Sequence, residues 1–193
     1  TMAFYPSPFE EAIILCAGGR GDFRSLSLWR ADRKSGLDLI DFATELTSPG
    51  AFYGMLTELL GFSANRHEGK VTGLAGFGEA SELQEVLAES FYFDQEAGRM
   101  RAIYGDFYRP FATAQMDKLK KLAVEHRKED IAYAAQSVLE RNIIDFFNYH
   151  TKDMANKAIN LCLAGGCIGN VKLNFELSKL SQVEKLYVFP YMG

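Results

Sequence analysis

Cysteine, histidine and proline are all scarce in this sequence. Its 193 residues include three cysteines, three histidines and five prolines. The cysteines are odd in number and form no CxxC pair, so a disulfide framework is not indicated and a reducing, cytoplasmic location is expected. The histidines, His67, His126 and His150, lack metal-ligand spacing. No metal site is therefore predicted within this chain.

Long apolar runs and an excess of positive charge are missing as well. The longest apolar runs, such as residues 12–17 and 161–164, fall far short of the roughly 20 residues that cross a bilayer, and no secretory signal is visible. Lys and Arg number 21 against 25 Asp and Glu, which gives a net charge of −4. We therefore expect no membrane partner and no nucleic-acid partner.

What is present has the composition of one ordinary domain. Hydrophobic residues make up 48% and charged residues 24% of the chain, close to the globular average. The length fits a single core. The chain begins with Thr1 and reaches strand-like sequence within a dozen residues, so we expect a fragment of a longer protein.

The pattern of apolar residues predicts an α/β fold. Three short strands come first and form an antiparallel hairpin set, and two later strands extend the sheet in parallel, with helices on both faces. Ser48 and Pro49 begin a helix that ends at Gly61. The strands are predicted at 11–16, 23–30, 37–45, 158–164 and 185–189, and further helices at 131–149 and 171–180.

The middle of the chain is less regular. Residues 63–79 contain four glycines and indicate a functional loop rather than a helix or strand. A mainly helical insert is expected at about 80–128, with helices over about 80–89 and 116–128. Residues 1–193 are thus interpreted as a single domain carrying one insert.

Two glycine-rich turns follow predicted strands. In the first, the backbone amides of Gly18, Gly19 and Gly21 could converge on an anion, although plain hairpin turns have a similar composition. In the second, Gly165 and Gly166 lie between a strand and a helix N-terminus, where free amides favour a phosphate or nucleotide. A tight strand-to-helix turn is the alternative there, and neither turn has a GxGxxG or P-loop pattern.

Lys70 lies among the glycines of the 63–79 segment. A lysine in such a position could bind a phosphoryl or carboxylate group as a mobile point charge. The alternative is a solvated loop lysine.

Four segments together carry a family resemblance. The segments occur in the same order over nearly the whole chain. Through them the sequence resembles the nodulation-type O-carbamoyltransferases. The segments are Phe4-Tyr-Pro-Ser-Pro-Phe9, Ser48-Pro-Gly-Ala-Phe-Tyr53, Glu68-Gly-Lys-Val-Thr-Gly-Leu-Ala75 and Leu161-Cys-Leu-Ala-Gly-Gly166 with Asn170.

The resemblance implies a ribonuclease-H-like lobe of the actin-like ATPase superfamily, the second of two lobes around a nucleotide cleft. Members of that family make carbamoyladenylate from carbamoyl phosphate and ATP in a separate domain, and the actin-like domain passes the carbamoyl group to a hydroxyl of a sugar or antibiotic. By this resemblance Gly18, Gly19, Gly21 and Lys70 would position phosphate. The nucleoside would contact Gly165, Gly166 and Asn170.

The family pattern also has parts that this chain lacks. Its metal-binding histidines would precede Thr1 and its acidic metal ligand would follow Gly193, so a divalent metal is expected in the full-length protein through ligands outside this chain. No catalytic residue is assigned, and the isolated chain is expected to be inactive. Gly18 stands where the family usually has Asp. The expected partners are the first lobe and the carbamoyladenylate-forming domain of the parent chain, and a homodimer is also considered.

Two other functions remain open at this point. One is a non-catalytic nucleotide-binding or interaction domain that has lost the carboxylate at the Gly18 position. The other is a relative of the enzyme that modifies tRNA with a threonylcarbamoyl group, which shares the fold. The matches at Phe52-Tyr53 and Glu68 to Ala75 favour the hydroxyl carbamoyltransferases.

Overall fold

The fold is built on a five-stranded mixed sheet. A computed structural model of the chain describes residues 3–104, 108, 117–154 and 157–191. The sheet order is β3-β2-β1-β6-β7, with antiparallel pairs β1–β2 and β2–β3 and parallel pairs β1–β6 and β6–β7. In chain order the strands are β1 Glu11–Gly21, β2 Arg24–Asp32, β3 Gly36–Thr44, β4 Phe91–Asp94, β5 Arg99–Ala102, β6 Ile159–Ala164 and β7 Val183–Val188. The predicted hairpin set and its parallel extension are confirmed.

The described helices begin after β3, the third strand of the sheet. Ser48 caps the first of them, since its side chain accepts a hydrogen bond from the Ala51 amide at 3.0 Å and Pro49 occupies the first turn. This start agrees with the sequence prediction. The helices are α1 Pro49–Leu59, α2 Glu68–Leu74, α3 Leu83–Ala88, α4 Asp117–Glu125, α5 Lys128–Thr151 and α6 Val171–Ser178.

The two faces of the sheet are covered differently. Ile13 and Leu15 of β1 point to the face on which the described helices pack, while Ile14 points to the other. That second face is covered by the segment before β1, through Phe4 and Phe9. The expectation of helices on both faces is therefore wrong for the described residues, because two aromatic side chains close to the chain start do the covering that a helix would do.

The 63–79 segment is a second correction. It contains α2 and a short 3-10 turn at Ala75–Phe77 instead of an irregular loop. Val71 and Ala75 are buried in the main core, and this packing outweighs the low helix propensity of glycine. A Cβ added at Gly69, Gly73 or Gly76 would have no neighbour within 4 Å, so these glycines lie on the open side.

The insert contains a β-hairpin that the sequence analysis did not predict. β4 and β5 pair antiparallel, and Phe91, Phe93 and Met100 are buried. The predicted helix near 80–89 corresponds to α3 and the one near 116–128 to α4, while residues 105–107 and 109–116 lie outside the described part. None of the described helices is long and apolar enough to cross a membrane.

Candidate functional site

A cavity of about 440 Å³ opens where β1 and β6 end. In α/β sheets, ligands bind outside the carboxyl ends of parallel strands. The walls come from the end of β1, the start of α1, the α2 segment and the loop between β6 and α6. The lining residues are Gly19, Gly50, Tyr53, Asn65, Arg66, Glu68, Gly69, Thr72, Leu139, Gly166, Cys167, Gly169 and Asn170.

Ser48 joins the end of β1 to the start of α1. Its hydroxyl lies 2.6 Å from the Gly19 carbonyl oxygen and 3.2 Å from that of Gly18, and the side chain is fully buried. The helix approaches so closely that a Cβ on Gly50 would lie 2.6 Å from the Gly19 nitrogen. Gly50 is therefore required by packing, and the wall it forms with Gly19 is rigid.

The first glycine-rich segment is not a turn, which corrects the sequence interpretation. Gly18, Gly19 and Gly21 belong to β1, whose pairing with β2 is irregular between Ala17 and Gly21. The hairpin turns at Asp22 and Phe23, both with positive φ. Gly19 lines the cavity, and a Cβ there would meet nothing within 4 Å.

Gly18 and Gly21 stand apart from Gly19. A Cβ on Gly18 would lie 3.6 Å from the Gly166 nitrogen, so Gly18 borders the second glycine segment without lining the cavity. Gly21 adjoins the hairpin turn and is exposed. Of the three glycines, only Gly19 is thus placed to contact a ligand in the cavity.

The second glycine segment has the predicted strand–turn–helix form. A 3-10 turn covers Gly166–Gly169 and leads into α6. Gly165 has φ of +96°, and a Cβ on it would lie 2.3 Å from the Ala17 carbonyl oxygen. Gly165 is therefore fixed by the fold, whereas Gly166 lines the cavity.

The floor of the cavity is a closed hydrogen-bond network. The Tyr53 hydroxyl donates to Oε1 of Gln136 at 2.7 Å and lies 3.1 Å from the hydroxyl of Thr72. Nδ2 of Asn170 donates to the same Oε1 at 2.7 Å and to the Thr72 hydroxyl at 3.1 Å. The network therefore joins α1, α2 and α5 to the residue that begins α6.

Asn170 uses its whole side-chain amide inside the protein. In addition to the two bonds from Nδ2, its Oδ1 accepts from Nε2 of Gln136 at 3.0 Å and from the Leu173 amide at 3.1 Å. An amide side chain has two donor hydrogens and two acceptor lone pairs. The Asn170 side chain caps α6 and has no hydrogen-bonding capacity left for a ligand.

Burial shifts the pKa values of three groups at this floor. Desolvation raises the pKa of Tyr53 and of Glu140, whose Oε1 accepts from Nε2 of Gln136 at 2.6 Å. Burial also raises the pKa of the Cys167 thiol to about 12. Cys167 therefore stays protonated at neutral pH and is not an activated nucleophile.

Arg66 and Lys70 lie in the same segment but in different surroundings. Arg66 lines the cavity, and within the described part of the chain its guanidinium has no hydrogen-bond or ion-pair partner. Lys70 is exposed, does not line the cavity, and places its Nζ 5.7 Å from the centroid of the Phe62 ring. The sequence analysis named Lys70 and not Arg66; the role predicted for Lys70 stays a prediction.

Other cavity residues were also missed. Tyr53 lies in a quoted family motif, which was a usable signal, but Gln136 sits within the apolar stripe of α5 and gave none. No group of three or more His, Cys, Asp or Glu side chains in residues 3–104, 108, 117–154 and 157–191 is arranged to hold a metal ion. The resemblance implies a divalent metal held by ligands outside this chain, and that expectation stays a prediction.

The chain is a domain of the α/β class, with a glycine-lined cavity at the ends of two parallel strands, the position at which α/β domains typically bind ligands. A family model described as the carbamoyltransferase N-terminus matches residues 1–193. The chain belongs to that family, which confirms the resemblance noted in its motifs.

Individual relatives agree with this membership. The nodulation protein NolO of Bradyrhizobium diazoefficiens is 29% identical over 189 residues, 97% of this chain and 33% of the relative. The nodulation protein NolNO of Sinorhizobium fredii is 31% identical over 191 residues, 97% of this chain and 27% of the relative. An uncharacterized protein of Methanocaldococcus jannaschii is 29% identical over 206 residues, 99% of this chain and 33% of the relative. The chain spans about a third of the length of these curated relatives.

Proposed function

We propose that this chain is part of an O-carbamoyltransferase and that its cavity holds the adenylate from which the carbamoyl group is transferred. Membership of the carbamoyltransferase N-terminus family over residues 1–193 is the observation that carries the proposal. The cavity at the ends of β1 and β6 supports it, because that position suits a nucleotide in an α/β sheet and about 440 Å³ falls within the usual range of small-molecule sites.

We further propose that the chain is one ribonuclease-H-like lobe of an actin-like domain. The sheet order supports this: three antiparallel strands at one side, then β6 and β7 parallel to β1. The first lobe and the carbamoyladenylate-forming domain would then be supplied by the rest of the parent protein. Carbamoyl phosphate, ATP and a hydroxylated small molecule are the proposed substrates, and the cytoplasmic location and homodimer stay predictions.

The proposed reaction is a transfer between two oxygens. The acceptor hydroxyl oxygen bonds to the carbamoyl carbon, and the bond from that carbon to the phosphoryl oxygen of the adenylate breaks. AMP leaves with the electron pair, and the hydroxyl proton passes to a base that we do not assign in this chain. The contribution proposed for this lobe is to hold the adenylate still, since positioning lowers the entropic part of the barrier.

The proposal gives the predicted site residues two roles: contact with the adenylate and shaping of the cavity wall. Gly19 and Gly166 line the cavity and allow the adenylate to approach the backbone. Asn170 and Gly165 shape the wall through the network and the close approach to β1. The divalent metal, with ligands outside this chain, would act as a Lewis acid in the full-length protein, and no step described above depends on it.

A single substitution separates adenylate formation from transfer. Gly19 borders open space and has no positive φ, so Gly19→Val should fill part of the cavity and leave β1 intact. The parent protein is given carbamoyl phosphate, ATP and a panel of sugars, and pyrophosphate release and carbamoylated product are measured. We expect the variant to keep pyrophosphate release and lose product.

The controls for this experiment address the alternatives. The isolated chain should give neither signal, because the other lobe and the adenylate-forming domain are missing. Equal product from Gly19→Val and unsubstituted parent would contradict the placement of the adenylate. A parent that binds nucleotide but carbamoylates nothing would favour the non-catalytic binding domain.

A further inference from the structure

We infer that Arg66 binds the phosphoryl group of the ligand in this cavity, in the role that the sequence analysis gave to Lys70. The identity of the ligand as an adenylate rests on the proposed function, whereas the placement of the anion rests on the geometry alone.

The polar residues at the floor leave no hydrogen bond for an anion. The side-chain amides of Asn170 and Gln136 are hydrogen-bonded to each other and to neighbouring residues. The Thr72 hydroxyl donates to the Glu68 carbonyl at 3.2 Å and accepts from Asn170. Recognition of a charged ligand must therefore come from the rim of the cavity and from backbone amides.

Among the described residues that line the cavity, one is a cation. The charged residues among those that line the cavity are Arg66 and Glu68. Glu68 is already engaged, because its Oε1 accepts a hydrogen bond from the Asn65 amide at 2.5 Å. No described residue pairs with the Arg66 guanidinium, so its five N–H donors are available to a ligand.

The backbone around Arg66 is held in place. Asn65 adopts φ of +62°, a left-handed conformation that Asn tolerates better than most residues. The backbone amide of Asn65 donates to the Glu68 carboxylate, and the backbone amide of His67 donates to the Ser63 carbonyl at 3.0 Å. Arg66 therefore projects from a turn fixed on both sides, which reduces the entropy lost when it binds a ligand.

The wall formed by the two glycine segments offers space rather than side chains. Gly19 and Gly166 both line the cavity, and a Cβ on Gly19 would touch nothing. An anion at this wall can approach the backbone closely. A planar guanidinium contacts two oxygens of a phosphoryl group at once, which makes the pair stronger and more directional than a lysine contact.

Lys70 provides a matched control. It is a cation four residues further along and is also exposed. It lies outside the cavity lining, with its ammonium near Phe62. Substituting either residue removes one positive charge from the same segment. A general electrostatic effect would therefore be the same for both, and a direct contact would not.

The experiment measures AMP and adenosine binding to the full-length parent by calorimetry. Another domain of the parent can also bind nucleotide. Binding at this cavity is therefore taken as the fraction of AMP binding that the Gly19→Val variant loses. We expect Arg66→Ala to weaken AMP binding at least tenfold, Arg66→Lys to restore part of it, and Lys70→Ala to change it less than twofold. The parent and the three variants at Arg66 and Lys70 should bind adenosine with the same affinity, because adenosine has no phosphoryl group.

Two results would overturn the inference. One is unchanged AMP affinity in Arg66→Ala, and the other is an equal loss for AMP and adenosine, which would indicate a general disturbance of the cavity. Because Arg66 is exposed, its substitution should leave the thermal unfolding midpoint unchanged. The transfer assay is run in parallel. If the unsubstituted parent carbamoylates nothing but Arg66→Ala still loses AMP binding, the proposed function is rejected and the phosphoryl site is retained.

Discussion

Gln136 and Asn170 form a reciprocal amide pair, in which each side chain donates to the oxygen of the other, at 3.0 Å and 2.7 Å. Both residues are buried. The pair fixes the start of α6 to the middle of α5, directly beneath the cavity. Because buried polar groups are costly when they lose a partner, this pair makes the shape of the cavity floor depend on two residues far apart in sequence.

Gln136→Met should destabilise the protein strongly. The variant keeps the side-chain volume but removes the oxygen that accepts from both the Tyr53 hydroxyl and Nδ2 of Asn170. These two groups then keep only their contacts with Thr72, and a buried polar group that loses its partner costs about 1–3 kcal/mol. We expect the thermal unfolding midpoint of the parent to fall by several degrees. Gln84→Met is the control, since the Gln84 side chain is only half-buried and accepts one hydrogen bond, from the backbone amide of Ser81. Equal midpoints for the two variants would argue against the network.

Asn170 should show its capping role in a pair of variants. Asn170→Ser keeps a good N-cap for α6 but loses the amide pair, whereas Asn170→Ala loses both. The alanine variant should therefore be less stable than the serine variant by about 1 kcal/mol in urea unfolding. If the two variants unfold at the same urea concentration, the bond from the Leu173 amide to Asn170 contributes nothing measurable.

Glu140→Gln should stabilise the protein at neutral pH and not at acid pH. Burial raises the pKa of Glu140 above its ordinary value of 4.5. A carboxyl with a raised folded-state pKa contributes stability that is full below the unfolded pKa and is lost as pH rises through the folded pKa. Gln keeps the oxygen that accepts from Gln136 and never ionises.

The measurement is the unfolding midpoint of both proteins between pH 4 and pH 8. The advantage of the variant should be absent at the acid end and appear as the pH rises. The control is Glu125→Gln on α4, whose carboxylate pairs with Lys121 at an exposed surface. A constant difference across the pH range would mean that Glu140 titrates normally in the folded protein.

Gly165→Ala should destabilise the protein, whereas Gly19→Ala should leave its stability almost unchanged. At Gly165 the new Cβ would lie 2.3 Å from the Ala17 carbonyl oxygen at a φ of +96°, so β1 and β6 would have to separate. We expect a loss of stability large enough to reduce the yield of folded parent. At Gly19 the Cβ enters open space, and the unfolding midpoint should stay within a degree or two. Comparable losses at both positions would contradict the distinction between the fold glycine and the cavity glycine.

Elements that depend on local patterns could be predicted from the amino-acid sequence. The strand pattern of residues 11–45 and the cap at Ser48-Pro49 gave β1, β2, β3 and the start of α1, because alternation and capping act between residues a few positions apart. The family motifs likewise identified the chain, and the strand–turn–helix after Leu163 was predicted with its glycines in the right place.

The residues that face the cavity could not be predicted in this way, because contacts between distant segments place them there. α2 forms in a glycine-rich segment because Val71 and Ala75 find a core to pack against, and no local pattern reports that. Arg66 and Lys70 are four residues apart in a similar sequence context, yet only one borders the cavity, because the Asn65 turn and the path of α2 set their directions. Asn170, predicted as a nucleoside contact, lines the cavity, and the structure shows that its side-chain amide is bonded to Gln136, 34 positions away in the chain.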